Sequence, residues 1–326
     1  MAARTFRTAK WRRPERTFRT EFPVPPSLSQ PLPVTFNPFP VYPSLSQSIP
    51  VQAMFRTARL GAVFGGSPLS SGGSPKVLEG KVALVTAGTD GIGLAVAEAL
   101  GVAGAQVFLS SRRQHNVDRA VAHLRGRGLQ VSGVTCHVGR AEERERMVQA
   151  ALDTFGAIDI LVSNAAVNPH LGPALEADES TWDKVFQVNV TAAAMLVRLV
   201  VPHMERRGGG AIVLMSSIAG YRPMAGLGPY SVSKSALLGL VAALSPELLP
   251  RGIRINGVAP GLIQTRFSQA LWQDEAVRDR ALQELGVQRL GTPPEVGGAV
   301  LFLVSPLGSF VAGQTLLVAG GALARL

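Results

Sequence analysis

Cysteine is nearly missing from this chain. Cys136 stands alone among 326 residues, which excludes an intramolecular disulfide and points to a chain made for a reducing compartment. Cys136 and the adjacent His137 lack the further ligands of a tetrahedral metal site, so no metal is expected and Cys136 is expected as a buried strand residue. No uninterrupted apolar run approaches the roughly 18 residues of a membrane-spanning helix, so no span is expected. Acids are scarce at one end only. Residues 1–75 hold nine Lys/Arg against two acids, a net +7, whereas the remainder holds 23 against 20, a net +3. The overall +10 therefore belongs to a tail. Phe6, Trp11 and Phe18 are too thin an aromatic set to read nucleic acid, and no such partner is expected.

The tail differs in texture from the rest of the chain. Residues 1–53 are basic and proline-rich, with nine prolines from Pro23 to Pro50 and no helical or strand periodicity. R-T-F-R-T recurs at 4–8 and 16–20, and P-S-L-S-Q at 26–30 and 43–47, units too short for a solenoid repeat. This stretch is expected to be disordered. Met54 opens an acid-free segment with Arg56 and Arg59 among small and apolar residues, the composition of a mitochondrial presequence, so 54–75 reads as a presequence or linker.

From residue 76 to 326 strands and helices alternate. Strands are expected at 82–85, 106–110, 130–135, 158–163, 211–215, 253–258 and 315–319, and helices at 92–103, 116–126, 141–155, 181–205, 229–248 and 294–304. Pro246 is expected to interrupt the helix at 229–248, because it removes an N–H. Alternation of this kind predicts one α/β domain, a doubly wound Rossmann-type parallel sheet of about seven strands flanked by helices.

The first βα connection, T-A-G-T-D-G-I-G at 86–93, is a glycine turn opening a helix. Such a turn aims backbone N–H groups at an anion and lets the main chain approach a pyrophosphate. The cofactor-binding candidates here are Thr86, Gly88, Thr89, Asp90, Gly91, Ile92 and Gly93. About 20 residues on, where an NAD-preferring fold places an acid, stand Ser110, Ser111, Arg112 and Arg113. Hydroxyls and guanidinium groups donate to a 2′-phosphate that an acid would repel, so NADP(H) is the expected cofactor. Asp90 is a counter-signal.

Y-S-V-S-K places Tyr230 and Lys234 four residues apart on one helix face. A phenol ionises near pH 10 and needs a neighbouring positive charge to act as acid or base near neutrality, which an ammonium group supplies. With the glycine turn, this pair resembles the short-chain dehydrogenase/reductase family, whose loop reads T-G-x-x-x-G-x-G; Ala87 stands at its first glycine, adding one methyl. The resemblance implies that Ser217, thirteen residues before Tyr230, polarises a substrate carbonyl, with Ser216 as its inert twin unless the spacing is off by one. It implies that Asn189 in V-N-V joins Ser217, Tyr230 and Lys234 in a tetrad and positions a water for proton relay. It implies cofactor contacts from Asn164 and Ala165, from Tyr230 and Lys234, and from Pro260, Gly261, Ile263 and Thr265 around the nicotinamide. His137 stands where the family commonly has an acid near the adenine, and no role is assigned to it.

The strings S-S-R-x-Q, C-H-V-G, L-V-S-N-A-A-V-N-P and A-P-G-L-I are similar to one branch of that family. Its members are NADPH-dependent reductases of retinal, aromatic ketones and α-dicarbonyls, usually tetrameric and peroxisomal. The resemblance implies a small carbonyl or alcohol substrate and a homotetramer. The final Ala324-Arg325-Leu326 is a conservative variant of the address read by the peroxisomal import receptor, so a peroxisomal location is expected, with a mitochondrial one if translation starts at Met54. An oxidative alcohol or hydroxysteroid dehydrogenase and a cofactor-binding scaffold without catalysis stay open as alternatives. The substrate pocket is expected around 170–173, 221–228 and a loop at 266–285. N-terminal sequencing of the native protein is expected to start at or beyond Met54; a mature chain that begins at Met1 would refute the presequence.

Overall fold

The computed structural model describes residues 76–322. The low-complexity stretch 1–53, the segment 54–75 with its alternative start, and the C-terminal Ala324-Arg325-Leu326 lie outside the described residues.

Seven strands form one parallel sheet: β1 (Val82–Val85), β2 (Gln106–Ser111), β3 (Val131–Thr135), β4 (Ile160–Ser163), β5 (Gly210–Met215), β6 (Ile253–Pro260) and β7 (Thr315–Val318). The spatial order is β3-β2-β1-β4-β5-β6-β7, with every neighbouring pair parallel. Helices α1 (Gly91–Val102), α2 (Gln114–Arg125), α3 (Ala141–Phe155), α4 (Glu179–Phe186), α5 (Ala192–Arg206), α6 (Gly228–Leu248), α7 (Glu275–Leu285) and α8 (Pro293–Val304) connect them.

Helices on both faces explain why β1 and the first three residues of β4 are apolar runs, with every residue of both strands buried, Ser163 included. Side chains alternate across the sheet. Ala83, Val85, Val107 and Leu109 join one core with residues of α1, α2 and α8, while Leu84, Phe108 and Leu161 join the other with residues of α3, α5 and α6. Gly297 lets α8 approach α1, because a Cβ there would lie 3.0 Å from the Ala95 carbonyl oxygen. Glu295 closes a capping box with Thr292 and pairs with Arg289, so the start of α8 is tied down.

Three expectations need correction. The helix expected at 181–205 is two helices, α4 and α5, joined by a π turn at Gln187–Thr191. Pro246 does not end α6, which continues to Leu248; Pro246 and Ala242, whose carbonyl loses its helical donor, are both exposed, so that carbonyl faces solvent. The expected loop at 266–285 contains α7, started by Asp274 accepting from Val277 N and ended by Gly286 at φ +68°. In addition, the helical runs Glu179–Arg206 and Gly228–Arg251 reach mean hydropathies of 1.6 and 1.4. They reach membrane-spanning length and composition only when polar interruptions are averaged over; Asn189 and Lys234 lie within them, both buried. Cys136 is buried just past β3, where burial foremost and Glu143 next push its thiol up to about 11.

Asp159 ties β1 to β4. It is 3% exposed, its carboxylate accepts from Val82 N at 2.9 Å, and Arg207 and Lys81 lie 3.2 and 3.5 Å away. Both cations are about half exposed and contribute little, so the N–H bond carries the effect. Asp159→Ala leaves that buried donor unpaired and is expected to lower the unfolding free energy by about 2 kcal/mol. An unchanged urea midpoint would sink this account.

Candidate active site

The chain runs outward from β1 to β3 on one side and then crosses to β4 on the other, so a crevice opens at the carboxyl ends of β1 and β4. The glycine turn, Ser110–Arg113, Asn164–Ala165, Ser216–Ser217 and Pro260–Gly261 stand at or just past strand carboxyl ends and therefore converge on this edge, whereas Asn189 comes from between α4 and α5.

The crevice floor is built by reciprocal hydrogen bonds. Thr86 is fully buried, and its Oγ1 accepts from Asn164 N at 3.0 Å and Ala165 N at 3.1 Å. Asn164 Nδ2 donates back to the Thr86 and Ala87 carbonyls at 3.1 and 3.2 Å. The Thr86 and Asn164 side chains are thus spent on each other: they shape the glycine turn. Gly93 has no room for a side chain, since a Cβ would fall 2.1 Å from the Ala87 oxygen. Thr89 is buried, Ile92 packs against the core, Gly88 N–H is bonded to the Ser110 carbonyl, and Gly91 takes φ +52° with Thr265 against it. Ala87 has φ +49°, a left-handed conformation. Its departure from glycine therefore carries backbone strain as well as a methyl group.

Asp90, the expected counter-signal to a phosphate, caps α1 and pairs with Arg266 at 3.1 Å, which offsets its charge. At the end of β2 the Ser110 hydroxyl is buried without a partner, Ser111 is half-buried, and Arg112 and Arg113 are exposed. His137, given no role by sequence, lies at the same corner with Nε2 3.3 Å from Lys184 Nζ. Burial first, then Lys184 and more weakly Arg140 and Arg112, lower its pKa, so the corner is positively charged. Lys184 and Arg140 belong to no local motif, and only the fold brings them here.

The π turn between α4 and α5 delivers Asn189, which is 2% exposed. Its Oδ1 accepts from Val167 N at 2.8 Å, and its Nδ2 donates to the Val167 carbonyl and to Ser233 Oγ, each at 3.0 Å. The side chain clamps the segment after β4 to α6, and both amide hydrogens are engaged there. Ser233 was not singled out by sequence. Nearby, the buried Asn168 Oδ1 has no partner.

Ser216 and Ser217 separate cleanly. Ser216 Oγ donates to the Lys234 carbonyl at 2.8 Å and is buried, whereas Ser217 is half-buried, its Oγ accepts from Ala219 N at 3.1 Å, and its hydroxyl is near enough to the Tyr230 phenol to lower the phenol's pKa. Lys234 is 2% exposed, donates to the Met215 carbonyl at 2.7 Å, and holds Nζ 5.5 Å from the Tyr230 ring centroid. The ammonium therefore lies over the phenol ring. Burial pushes the phenol up to about 12, opposed by the Ser217 hydroxyl, and burial pushes Lys234 down to about 7. The lowered phenol pKa expected from the sequence is not what this state shows, because desolvation outweighs the neighbouring cation.

Pro260 ends β6 paired with Val318, and Ile263 just beyond it is core. Gly261 approaches Ala319, where a Cβ would come within 2.9 Å of its Cα. Thr265 lies against Gly91, and Arg266 and Phe267 extend from it to Asp90 and Tyr230.

The crevice fits a dinucleotide. Its glycines at 88, 91 and 93 carry no Cβ beside the start of α1, and Lys234 uses only one of three donors on the protein, leaving two for ribose hydroxyls.

Comparison with known proteins agrees with this geometry. The family profile described as Enoyl-(Acyl carrier protein) reductase matches residues 86–322. Dehydrogenase/reductase SDR family member 4 of Oryctolagus cuniculus is 55% identical over 249 residues, which cover 76% of this chain and 96% of the relative. The mitochondrial SDR family member 2 of Homo sapiens is 48% identical over 244 residues, 75% of this chain and 87% of the relative. Among solved structures, a 7 alpha-hydroxysteroid dehydrogenase complexed with NADH and 7-oxo glycochenodeoxycholic acid superposes with a TM-score of 0.73 at 31% identity, covering 78% of this chain and 99% of that one.

Relief of the turn strain is measurable. The left-handed conformation costs an alanine about 1–2 kcal/mol, and glycine's extra freedom when unfolded returns about 0.4–1. Ala87→Gly is therefore expected to stabilise the protein by about 0.5–1 kcal/mol in denaturant unfolding, and a lowered midpoint would contradict the strain.

Proposed function

The chain belongs to the short-chain dehydrogenase/reductase family and is an NAD(P)-dependent oxidoreductase, and from that premise we propose that it reduces carbonyl groups to alcohols with NADPH. The substrate class is that of the family branch: retinal, aromatic ketones and α-dicarbonyls.

The observation that carries this reading is the Ser217–Tyr230–Lys234 grouping beside the glycine turn. When bound, the reduced nicotinamide supplies a hydride to the carbonyl carbon. Ser217 donates a hydrogen bond to the carbonyl oxygen and Tyr230 gives it a proton. A phenol pushed up to about 12 stays protonated throughout the neutral range, as a proton donor requires, and an alkoxide is basic enough to take that proton. Lys234 in its charged form then stabilises the phenolate that remains. Oxidation of an alcohol needs that phenolate at the outset, and the direction of net turnover is set by the cofactor ratio and the pH. Asn189 acts by holding the segment after β4 against α6.

NADPH is favoured over NADH by the corner where Arg112, Arg113, His137, Lys184 and Arg140 gather, because positive charge suits a 2′-phosphate. A homotetramer is favoured by the apolar side chains exposed about α8 and β7, with Phe310 fully exposed and Leu307 at 76%. The C-terminal Ala324-Arg325-Leu326 favours the peroxisome through its import receptor, and a start at Met54 favours the mitochondrion.

NADPH oxidation over a panel of retinal, diacetyl, isatin and a ketosteroid tests the reading. Turnover is expected with NADPH preferred to NADH, and Tyr230→Phe is expected to retain NADPH binding while losing about a thousandfold in kcat. Because a depressed lysine pKa means the cation is lost as pH rises through about 7, reductive kcat/KM is expected to fall above that pH. Oxidation, which starts from phenolate, should rise instead. Absence of turnover with any carbonyl, despite bound NADPH, would favour the scaffold alternative.

A further inference from the structure

Resting on that reading of the site, we propose that Phe267 selects flat, conjugated carbonyl compounds over small aliphatic ones by stacking on them beside the Tyr230 phenol. Its ring centroid lies 5.9 Å from that of Tyr230 at an interplanar angle of 44°, yet the residue is 58% exposed. Phe267 thus touches the proton donor and presents the rest of its ring to solvent. It belongs to neither core, so packing of the fold does not account for it.

The ring is held rather than loose. On one side of it, Arg266 pairs with Asp90 in the glycine turn at 3.1 Å. On the other, the Ser268 hydroxyl bonds the Ile263 and Thr265 carbonyls, and Trp272 Nε1 donates to the Thr265 carbonyl at 3.0 Å and to Ser268 Oγ at 3.2 Å. A short hydrogen-bonded turn therefore stretches from the glycine turn to the phenol and fixes an aromatic face between them. A further apolar wall lies near the start of α6. Leu171 is 68% exposed, and the bridge between Gly172 and Leu227 anchors its segment three residues before Tyr230.

A carbonyl oxygen that reaches the Tyr230 hydroxyl has to carry its substituents past this ring. A planar conjugated substituent buries apolar area there and gains offset-stacking energy beyond that area. A four-carbon dicarbonyl has no ring to stack and gains little. Exposed Leu171 extends the apolar contact for a longer substituent.

The decisive quantity is the ratio of kcat/KM for 1-phenyl-1,2-propanedione to that for 2,3-butanedione, measured with NADPH on the full chain. Phe267→Ala is expected to lower the ratio at least fivefold through the KM of the phenyl compound, and Phe267→Tyr to restore it. A smaller change, or full restoration by Phe267→Leu, overturns stacking as the basis of selection. Loss of the wild-type activity on both compounds would instead defeat the functional reading. In that case calorimetric binding of 1-phenyl-1,2-propanedione still decides the matter: equal affinity of the wild type and Phe267→Ala rejects the proposal, and weaker binding by the variant supports it.

Discussion

The site depends on how two adjacent strands are held as their connections diverge. β1 and β4 lead to opposite halves of the sheet, and the opening between them is stable only because Thr86 and Asn164 exchange hydrogen bonds across it. One hydroxyl satisfies two backbone N–H groups, and one carboxamide satisfies two carbonyls. Those groups would otherwise be unpaired at the end of a fully buried sheet. The same bonds direct the Ala87 carbonyl toward Gly93, which is why residue 93 has no space for a Cβ and why Ala87 is held left-handed. Strain at one residue and absence of a side chain at another are consequences of a single brace. Residues that sequence reading assigns to the cofactor thus turn out to act on the backbone that would meet it.

A second constraint is burial of the proton-transfer pair. Lys234 is buried with one carbonyl partner, and the half-buried Tyr230 lies against the Phe267 ring. Removing both groups from water raises the phenol and lowers the amine, which drives the pair toward its uncharged forms. This suits proton donation better than proton abstraction. The expectation of a lowered phenol pKa rested on the lysine together with a bound oxidised nicotinamide, whereas among the protein's own groups desolvation outweighs the neighbouring charge.

Much of the fold was legible because parallel strands buried on both faces read as short apolar runs. V-A-L-V and I-L-V-S stand out as short apolar runs, and seven of the eight helices overlap the expected spans closely enough to place the motifs. The π turn at Gln187–Thr191 left no local trace. An extra residue in a helical turn is imposed by the partners it satisfies, here Val167 and Ser233, which are 22 and 44 residues from Asn189. Helix α7 was missed although Val277, Ala281 and Leu285 recur at helical spacing, because the segment was read as a variable loop; none of its residues is buried. Arg266 and Phe267 carried no motif either, since their partners Asp90 and Tyr230 come from distant turns.

The sequence by itself determined the alternating architecture, the glycine turn and the four-residue spacing of Tyr230 and Lys234, because each is encoded within a few consecutive residues. Only the tertiary structure decided which of Ser216 and Ser217 remains free for the phenol and whether Asp90 stands as an unbalanced charge. It also decided that His137 and Lys184 share a corner with Arg112, and that an aromatic ring lies against Tyr230. The physical reason is common to all four. Hydrogen-bond allocation, charge balance and solvent exclusion are set by groups brought together through space, and they become defined only once the sheet has gathered its loops at one edge.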